Sequence, residues 1–70
     1  MDNYKIVNLI SQLSFEYTEK GHKNYHNFLD TGEQIDSDEA RLNYRLGLEL
    51  LKISNKIMGE IEAIEEAYHG

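Results

Sequence analysis

Residues 36–68 read DSDEARLNYRLGLELLKISNKIMGEIEAIEEAY, a stretch without proline that carries two apolar stripes at helical spacing. The first stripe advances mostly by alternating steps of four and three residues, which is typical of a helix packed lengthwise on another helix. It comprises Leu42, Leu46, Leu50, Ile53, Ile57, Ile61, Ile64 and Tyr68. The second stripe, displaced around the helix, comprises Tyr44, Leu48, Leu51 and Met58. A lone hairpin needs only one stripe, so the second indicates a partner.

The first stripe is expected to fold the hairpin, and the second is expected to form an oligomer interface or to bind another protein. The residues assigned to hairpin packing are Leu42, Leu46, Leu50, Ile53, Ile57 and Ile64. Those assigned to the partner are Tyr44, Leu48, Leu51 and Met58, where an off-stripe tyrosine offers contact area with a polar tip.

Capping residues predict where the second helix begins. Asp36 and Glu39 have capping-box spacing, in which each side chain satisfies a free backbone N–H of the first turn. The preceding segment 31–35 contains glycine and is the clear turn region. We therefore expect the second helix over residues 36–68.

A first helix is predicted over residues 3–30, capped by Asp2 or Asn3. Its apolar stripe is spaced by four, three and four residues and comprises Ile6, Ile10, Leu13 and Tyr17. The sequence permits Gly21 to be a helix C-cap or an interior glycine, and the favoured interpretation is one long helix with a weak point or kink there.

These elements predict an all-α fold in a single domain over residues 1–70: an antiparallel helical hairpin that dimerises into a four-helix bundle. Two antiparallel helices cannot cover each other on both sides, and self-association is the simplest cover. If the first half folds as two helices, a monomeric three-helix bundle covers both stripes instead.

Composition restricts the class of function. The chain has 70 residues and no cysteine, so disulfides and zinc–thiolate sites are excluded as sources of stability. Its net charge of −6 disfavours direct binding of nucleic acid or of an anionic membrane, and favours a basic protein partner. No apolar run reaches the ~20 residues of a membrane span, and the first residues lack a signal-peptide pattern, so we expect a cytoplasmic protein.

The C-terminal residues form an acidic patch. Glu62, Glu65 and Glu66 lie at the negative end of the predicted helix dipole, and no lysine or arginine follows Lys56. Because this arrangement breaks a local rule of helix design, it is a candidate contact for a basic partner, with solubility as the competing explanation.

Glu66 and His69 also have the i,i+3 spacing of carboxylate-bridged dimetal bundles, with Glu62 one turn earlier. These three residues are the ligands of an alternative metal-binding interpretation. Ile61 and Ile64 take the core-facing direction, however, so a solvated helix end is the favoured interpretation. We predict no cofactor.

His22 and His26 are four residues apart, and Glu19 lies one turn earlier. On a helix this spacing places the two imidazoles on one face, where they could hold a metal or respond to pH. The metalloprotease pattern is absent, since no acidic residue lies between the histidines.

The sequence shows no nucleophile elbow and no phosphate-binding glycine loop, so we do not expect an enzyme. The predicted function is a small acidic interaction module, an adaptor or inhibitor of a protein partner, for instance a basic one that handles nucleic acid. A metal-binding bundle and a purely structural homo-oligomer are the alternatives.

Overall fold

The computed structural model describes the backbone of residues 2–69 and the side chains of residues 2–68, and it contains two helices. α1 spans Asn3–Thr31 and α2 spans Gln34–His69. They pack along their lengths as an antiparallel hairpin of 56 × 16 × 13 Å. The predicted all-α hairpin is confirmed.

α1 begins and ends with standard caps. The carboxylate of Asp2 accepts a hydrogen bond from the Tyr4 N–H at 2.8 Å, which confirms one of the two predicted N-caps. Gly32, with φ 70°, donates its N–H to the carbonyl oxygen of Phe28 at 2.7 Å. The helix runs without interruption through Gly21, as the favoured single long helix requires, and the three-helix alternative is wrong.

α2 begins at Gln34, two residues before the predicted start. The Asp36 N–H donates to the Glu33 carbonyl at 3.1 Å, so Asp36 lies inside the first turn and the predicted capping box is wrong. The hydroxyl of Thr31 accepts the Glu33 N–H at 3.2 Å instead. One left-handed glycine therefore reverses the chain, and the turn consists of residues 32 and 33.

The contact between the helices is a seam of small residues. Every buried residue among those described belongs to it, and within each helix these residues recur every seven positions. The seam comprises Val7, Ser14, Gly21, Ala40, Gly47, Ser54 and Ile61. A seven-residue period is that of helices that wind around each other with a shallow crossing. Five of the seven residues are glycine, alanine or serine, so the two backbones lie close together over most of the seam.

Gly47 demonstrates how close the helices are. A Cβ built on it would lie 2.6 Å from Thr18 Oγ1 and 3.0 Å from the backbone oxygen of Ser14. The space holds a hydrogen bond instead, from Ser14 Oγ to the Gly47 carbonyl at 2.6 Å. Further along, the hydroxyls of Ser11 and Ser54 are 2.7 Å apart. Hydrogen bonds of serine hydroxyls and a backbone carbonyl therefore contribute to the contact between α1 and α2.

The large apolar residues predicted to fold the hairpin lie beside the seam rather than in it. Leu42 is 58% exposed, Ile53 47% and Ile64 55%, while Leu50 and Ile57 are half-buried. The assignment of these residues to the hairpin core is wrong, and Ile61 is the member of the stripe that is buried in the seam. Around Gly47 the helices are too close for leucine or isoleucine to fit between them.

Candidate interaction surfaces

The seam divides the hairpin into two faces. On a helix with 3.6 residues per turn, positions one before and three after a seam residue lie on one side, and positions one and four after it lie on the other. Because the helices are antiparallel and meet at their seams, equal offsets on both helices face the same way.

Hydrogen bonds between the helices confirm this division. Asn24, three residues after Gly21, accepts from Asn43 Nδ2 at 2.8 Å and donates to Glu39 at 3.1 Å. Asn43 lies three after Ala40 and Glu39 one before it, so all three share one face.

That face carries most of the large apolar side chains of both helices, and we name it the apolar face. It comprises Ile6, Ile10, Leu13 and Tyr17 of α1, with Leu46, Leu50, Ile53, Ile57 and Ile64 of α2. Leu13 is 45% exposed and Ile53 47%, and Ile6 and Ile10 are half-buried. The stripes predicted on the two helices therefore combine into one surface that the hairpin itself leaves uncovered. Glu60, one residue before Ile61, is an exposed charged residue that lies among them on this face.

The opposite face carries a smaller apolar group, and we keep the name opposite face for it. It comprises Phe15, Tyr25, Tyr44, Leu48, Leu51 and Met58. Phe15 is 64% exposed and Leu48 51%. Four of its members are the residues predicted from sequence to meet a partner, and that role stays a prediction. Phe15 and Tyr25 join them from α1.

Tyr44 has contacts within the hairpin. Its ring lies over Gly21, where a Cβ would come within 3.0 Å of Tyr44 Cδ1. The ring of His22 packs edge-on against it at 5.3 Å between centroids, and the Tyr44 hydroxyl is 2.8 Å from His22 Nδ1. Gly21 thus makes room for the tyrosine ring, and Tyr44 is held half-buried against α1.

The predicted acidic patch lies at the end of the hairpin that holds the termini. Glu62, Glu65 and Glu66 are exposed, and the Tyr4 hydroxyl donates a hydrogen bond to Glu65 Oε1. This bond, with the negative charges of Glu65, Glu62 and Asp2, raises the pKa of Tyr4 above its usual value. One residue of the acidic patch, Glu65, is therefore hydrogen-bonded to α1.

The candidate metal ligands are not brought together within the described part of the chain. No group of three or more acidic or histidine side chains there could hold a metal ion. Glu62 and Glu66 are exposed, and the side chain of His69 lies outside the described residues. His22 contacts Tyr44, whereas His26 contacts Tyr25 at 6.4 Å between ring centroids.

Compared with known protein families, curated proteins and solved structures, the chain matches none of them. Within residues 2–69, neither helix is long and apolar enough to cross a membrane. The surfaces themselves are therefore the basis for a proposal about function.

Sequence reasoning missed the seam, which decides how the faces are divided. The signal was present in the recurrence of small residues: Ser14 and Gly21 in α1, and Ala40, Gly47 and Ser54 in α2, each seven positions apart. Patterns of large apolar residues dominate a search for helix contacts, so a seam built of glycine, alanine and serine was overlooked.

Proposed function

We propose that this chain is an interaction module that acts by binding rather than by catalysis. Two copies associate through their apolar faces into a four-helix bundle, and the bundle presents the opposite faces to a protein partner. The observation that carries the proposal is the apolar face, which spans both helices and which the seam leaves uncovered.

The shape of the single hairpin supports a covering partner. Its radius of gyration is 16.5 Å, whereas a compact domain of this length has about 11 Å. Its accessible surface is 5507 Å², whereas a compact monomer of this mass exposes about 4,500 Å². The excess for one chain is roughly 1,000 Å², which is comparable to the ~800 Å² that a standard interface buries on each partner.

The buried core is also small. The apolar residues of the seam are Val7, Ala40 and Ile61, and the other buried positions are serine or glycine. A chain below ~70–80 residues rarely obtains more than about 3–5 kcal/mol from a single core even when that core is well filled. Covering the apolar face would bury the additional apolar surface that the core of a single hairpin lacks.

A second copy is the occupant that suits this face. A twofold interface requires a surface that is complementary to itself, and a broad face of isoleucine and leucine, with Glu60 as its charged residue, largely meets that condition. If each of the nine apolar side chains buries on the order of 50 Å², the two copies together bury roughly 900 Å² through these side chains alone, close to the ~1,000 Å² that a biological interface should exceed. Packed face to face, two hairpins make a four-helix bundle.

In such a bundle the opposite face of each hairpin points outwards and stays free. Phe15, Leu48 and Leu51 form its exposed apolar centre. Glu62 and Glu65 lie on the same side, towards the termini. A partner with an apolar anchor flanked by basic residues matches both features, since opposite charge speeds and orients association. We therefore propose an adaptor or inhibitor that engages a basic protein.

A pair of charge substitutions separates the two faces. Ile53→Glu places a carboxylate in the proposed dimer contact, and Leu48→Glu places one on the opposite face at a similarly exposed position. Sedimentation equilibrium should give the dimer mass for the wild-type chain and for Leu48→Glu, and the mass of one chain for Ile53→Glu. This readout does not depend on whether the separated chain stays folded.

Two results would contradict the assignment. A dimeric Ile53→Glu variant would show that the apolar face is not the interface. A Leu48→Glu variant that dissociates would place the contact on the opposite face. The same variants test the partner, because a bound protein should be retained by the wild-type dimer and lost from the still-dimeric Leu48→Glu variant.

A further inference from the structure

The apolar face changes character along the hairpin. Its nine apolar residues occupy the two-thirds nearer the termini, up to Tyr17 in α1 and Leu46 in α2. Beyond them, towards the turn, the same face is polar. We call this part the polar end, and it comprises Lys20, Asn24, Glu39 and Asn43.

Hydrogen bonds join the two helices at the polar end, although Lys20 and Glu39 are exposed there. Asn43 Nδ2 donates to Asn24 Oδ1 at 2.8 Å in a part-buried position, and Asn24 Nδ2 donates to Glu39 Oε2 at 3.1 Å. Lys20 and Lys23 border the same shallow depression. Asn24, Asn43 and Glu39 are therefore hydrogen-bonded within one hairpin and need no second copy.

We infer that the polar end sets the direction of the dimer, so that the two hairpins lie with their turns at opposite ends and overlap only along the apolar two-thirds. The inference rests on the proposed dimer and specifies its geometry. Two twofold arrangements bring the apolar faces together, and they differ in where the polar ends go.

With both turns at the same end, the polar end of one hairpin packs against the polar end of the other hairpin. Two Glu39 carboxylates and two Asn24–Asn43 pairs would then enter the space between the layers. Lys20 of each copy enters this space as well. Even for charges of opposite sign, the loss of hydration on burial can exceed the attraction gained, and the amide groups already have partners within their own hairpin. The same-end arrangement also adds no hydrogen bonds to Asn24, Asn43 and Glu39, because these residues are already hydrogen-bonded within each hairpin.

With the turns at opposite ends, the twofold axis passes through the middle of the apolar stretch, near Ile10 and Leu13 of α1. The nine apolar side chains of each copy then face those of the other. Glu60 lies in the overlap in both arrangements, so it does not favour one over the other. The polar ends extend past the termini of the partner and stay in water. A polar group in an otherwise apolar contact commonly selects one alignment of helices in this way.

Because the chain has no cysteine, a single label can be placed at the turn. In a Glu33→Cys variant carrying a spin label, turns at opposite ends should be separated by at least roughly the 56 Å length of the hairpin. Turns at the same end would bring the labels within about 20 Å, since packed helices lie only 8–10 Å apart. Pulsed dipolar spectroscopy distinguishes these distances.

A long distance in a chain of dimer mass supports the inference. A dimer with the short distance overturns the inference and leaves the proposed dimer standing, whereas the mass of a single chain overturns both. Adding Glu39→Leu and Asn43→Leu to the labelled chain tests the cause. This variant should populate the short distance, and a distance distribution that stays entirely long would overturn the role of the polar end.

Discussion

Gly47 shows most clearly how a single residue controls the hairpin. It has no side chain at a point where the opposing helix leaves no room for one, and its carbonyl accepts the buried hydroxyl of Ser14. A glycine inside a helix costs about 1 kcal/mol relative to alanine. Close contact with α1 offsets that cost, so its position in the seam explains a residue that local propensity disfavours.

Gly47→Ala should therefore destabilise the protein. The added methyl group meets Thr18 Oγ1 and the Ser14 carbonyl, so the helices must separate and the seam hydrogen bonds lengthen. Overpacking of this kind costs about 1–3 kcal/mol, of which better helix propensity returns about 1 kcal/mol. Urea unfolding at a fixed chain concentration should show a net loss.

Gly59→Ala is the matched control. Gly59 also lies inside α2, but nothing is within 4 Å of the position where its Cβ would stand. Helix propensity alone then applies, and the variant should gain about 0.5–1 kcal/mol. If the two alanine variants had the same stability, the close approach at Gly47 would have no energetic consequence.

At the scale of the helices, the turn is defined by one residue with left-handed geometry. Gly32 has φ 70° and ends α1, and α2 begins two residues later at Gln34. Neighbouring side chains assist it, since the Thr31 hydroxyl accepts the Glu33 N–H and lies 3.2 Å from Asp36 Oδ2. The turn therefore fixes which residues of α1 and α2 face each other.

Gly32→Ala should destabilise the hairpin although the position is open. No atom lies within 4 Å of the added Cβ, so the cost comes from the backbone, where a left-handed conformation disfavours an L-residue by roughly 1–2 kcal/mol. The urea midpoint should fall, while Gly59→Ala rises under the same conditions. A neutral Gly32→Ala would indicate that the turn can adopt another conformation at no cost.

The elements themselves were largely predictable from sequence. The N-cap at Asp2 and the turn around Gly32 have strong local signals, and helical spacing of apolar residues gave the helices. The start of α2 was misplaced because Asp36 and Glu39 imitate a capping box, while the actual turn uses Thr31. Local rules thus identified each helix but not the atoms that begin the second one.

The pairing of the helices was not predictable in the same way. Apolar stripes show which side of a helix avoids water, but they do not state whether that side meets the neighbouring helix or another chain. In this hairpin Leu46 and Ile53 stand just before Gly47 and Ser54, which take the inner positions. A one-residue rotation of the contact therefore moves most of the stripe from the core towards the surface, and Ile61 alone of its members stays buried.

For the whole molecule, the consequence is that folding and association should be one process. The seam holds two helices in register but buries little apolar surface, and in the proposed dimer a second copy that covers the apolar face provides the remainder. If that dimer is obligate, the stability of the fold depends on chain concentration.

The thermal unfolding midpoint, measured by circular dichroism over a hundredfold range of chain concentration, tests this claim most directly. For a dimer that unfolds to separate chains, the increase in concentration should raise the midpoint by roughly 5–10 °C. A midpoint that stays constant over the whole range, in a helical protein that sediments with the 8.2 kDa mass of one chain, would contradict the account.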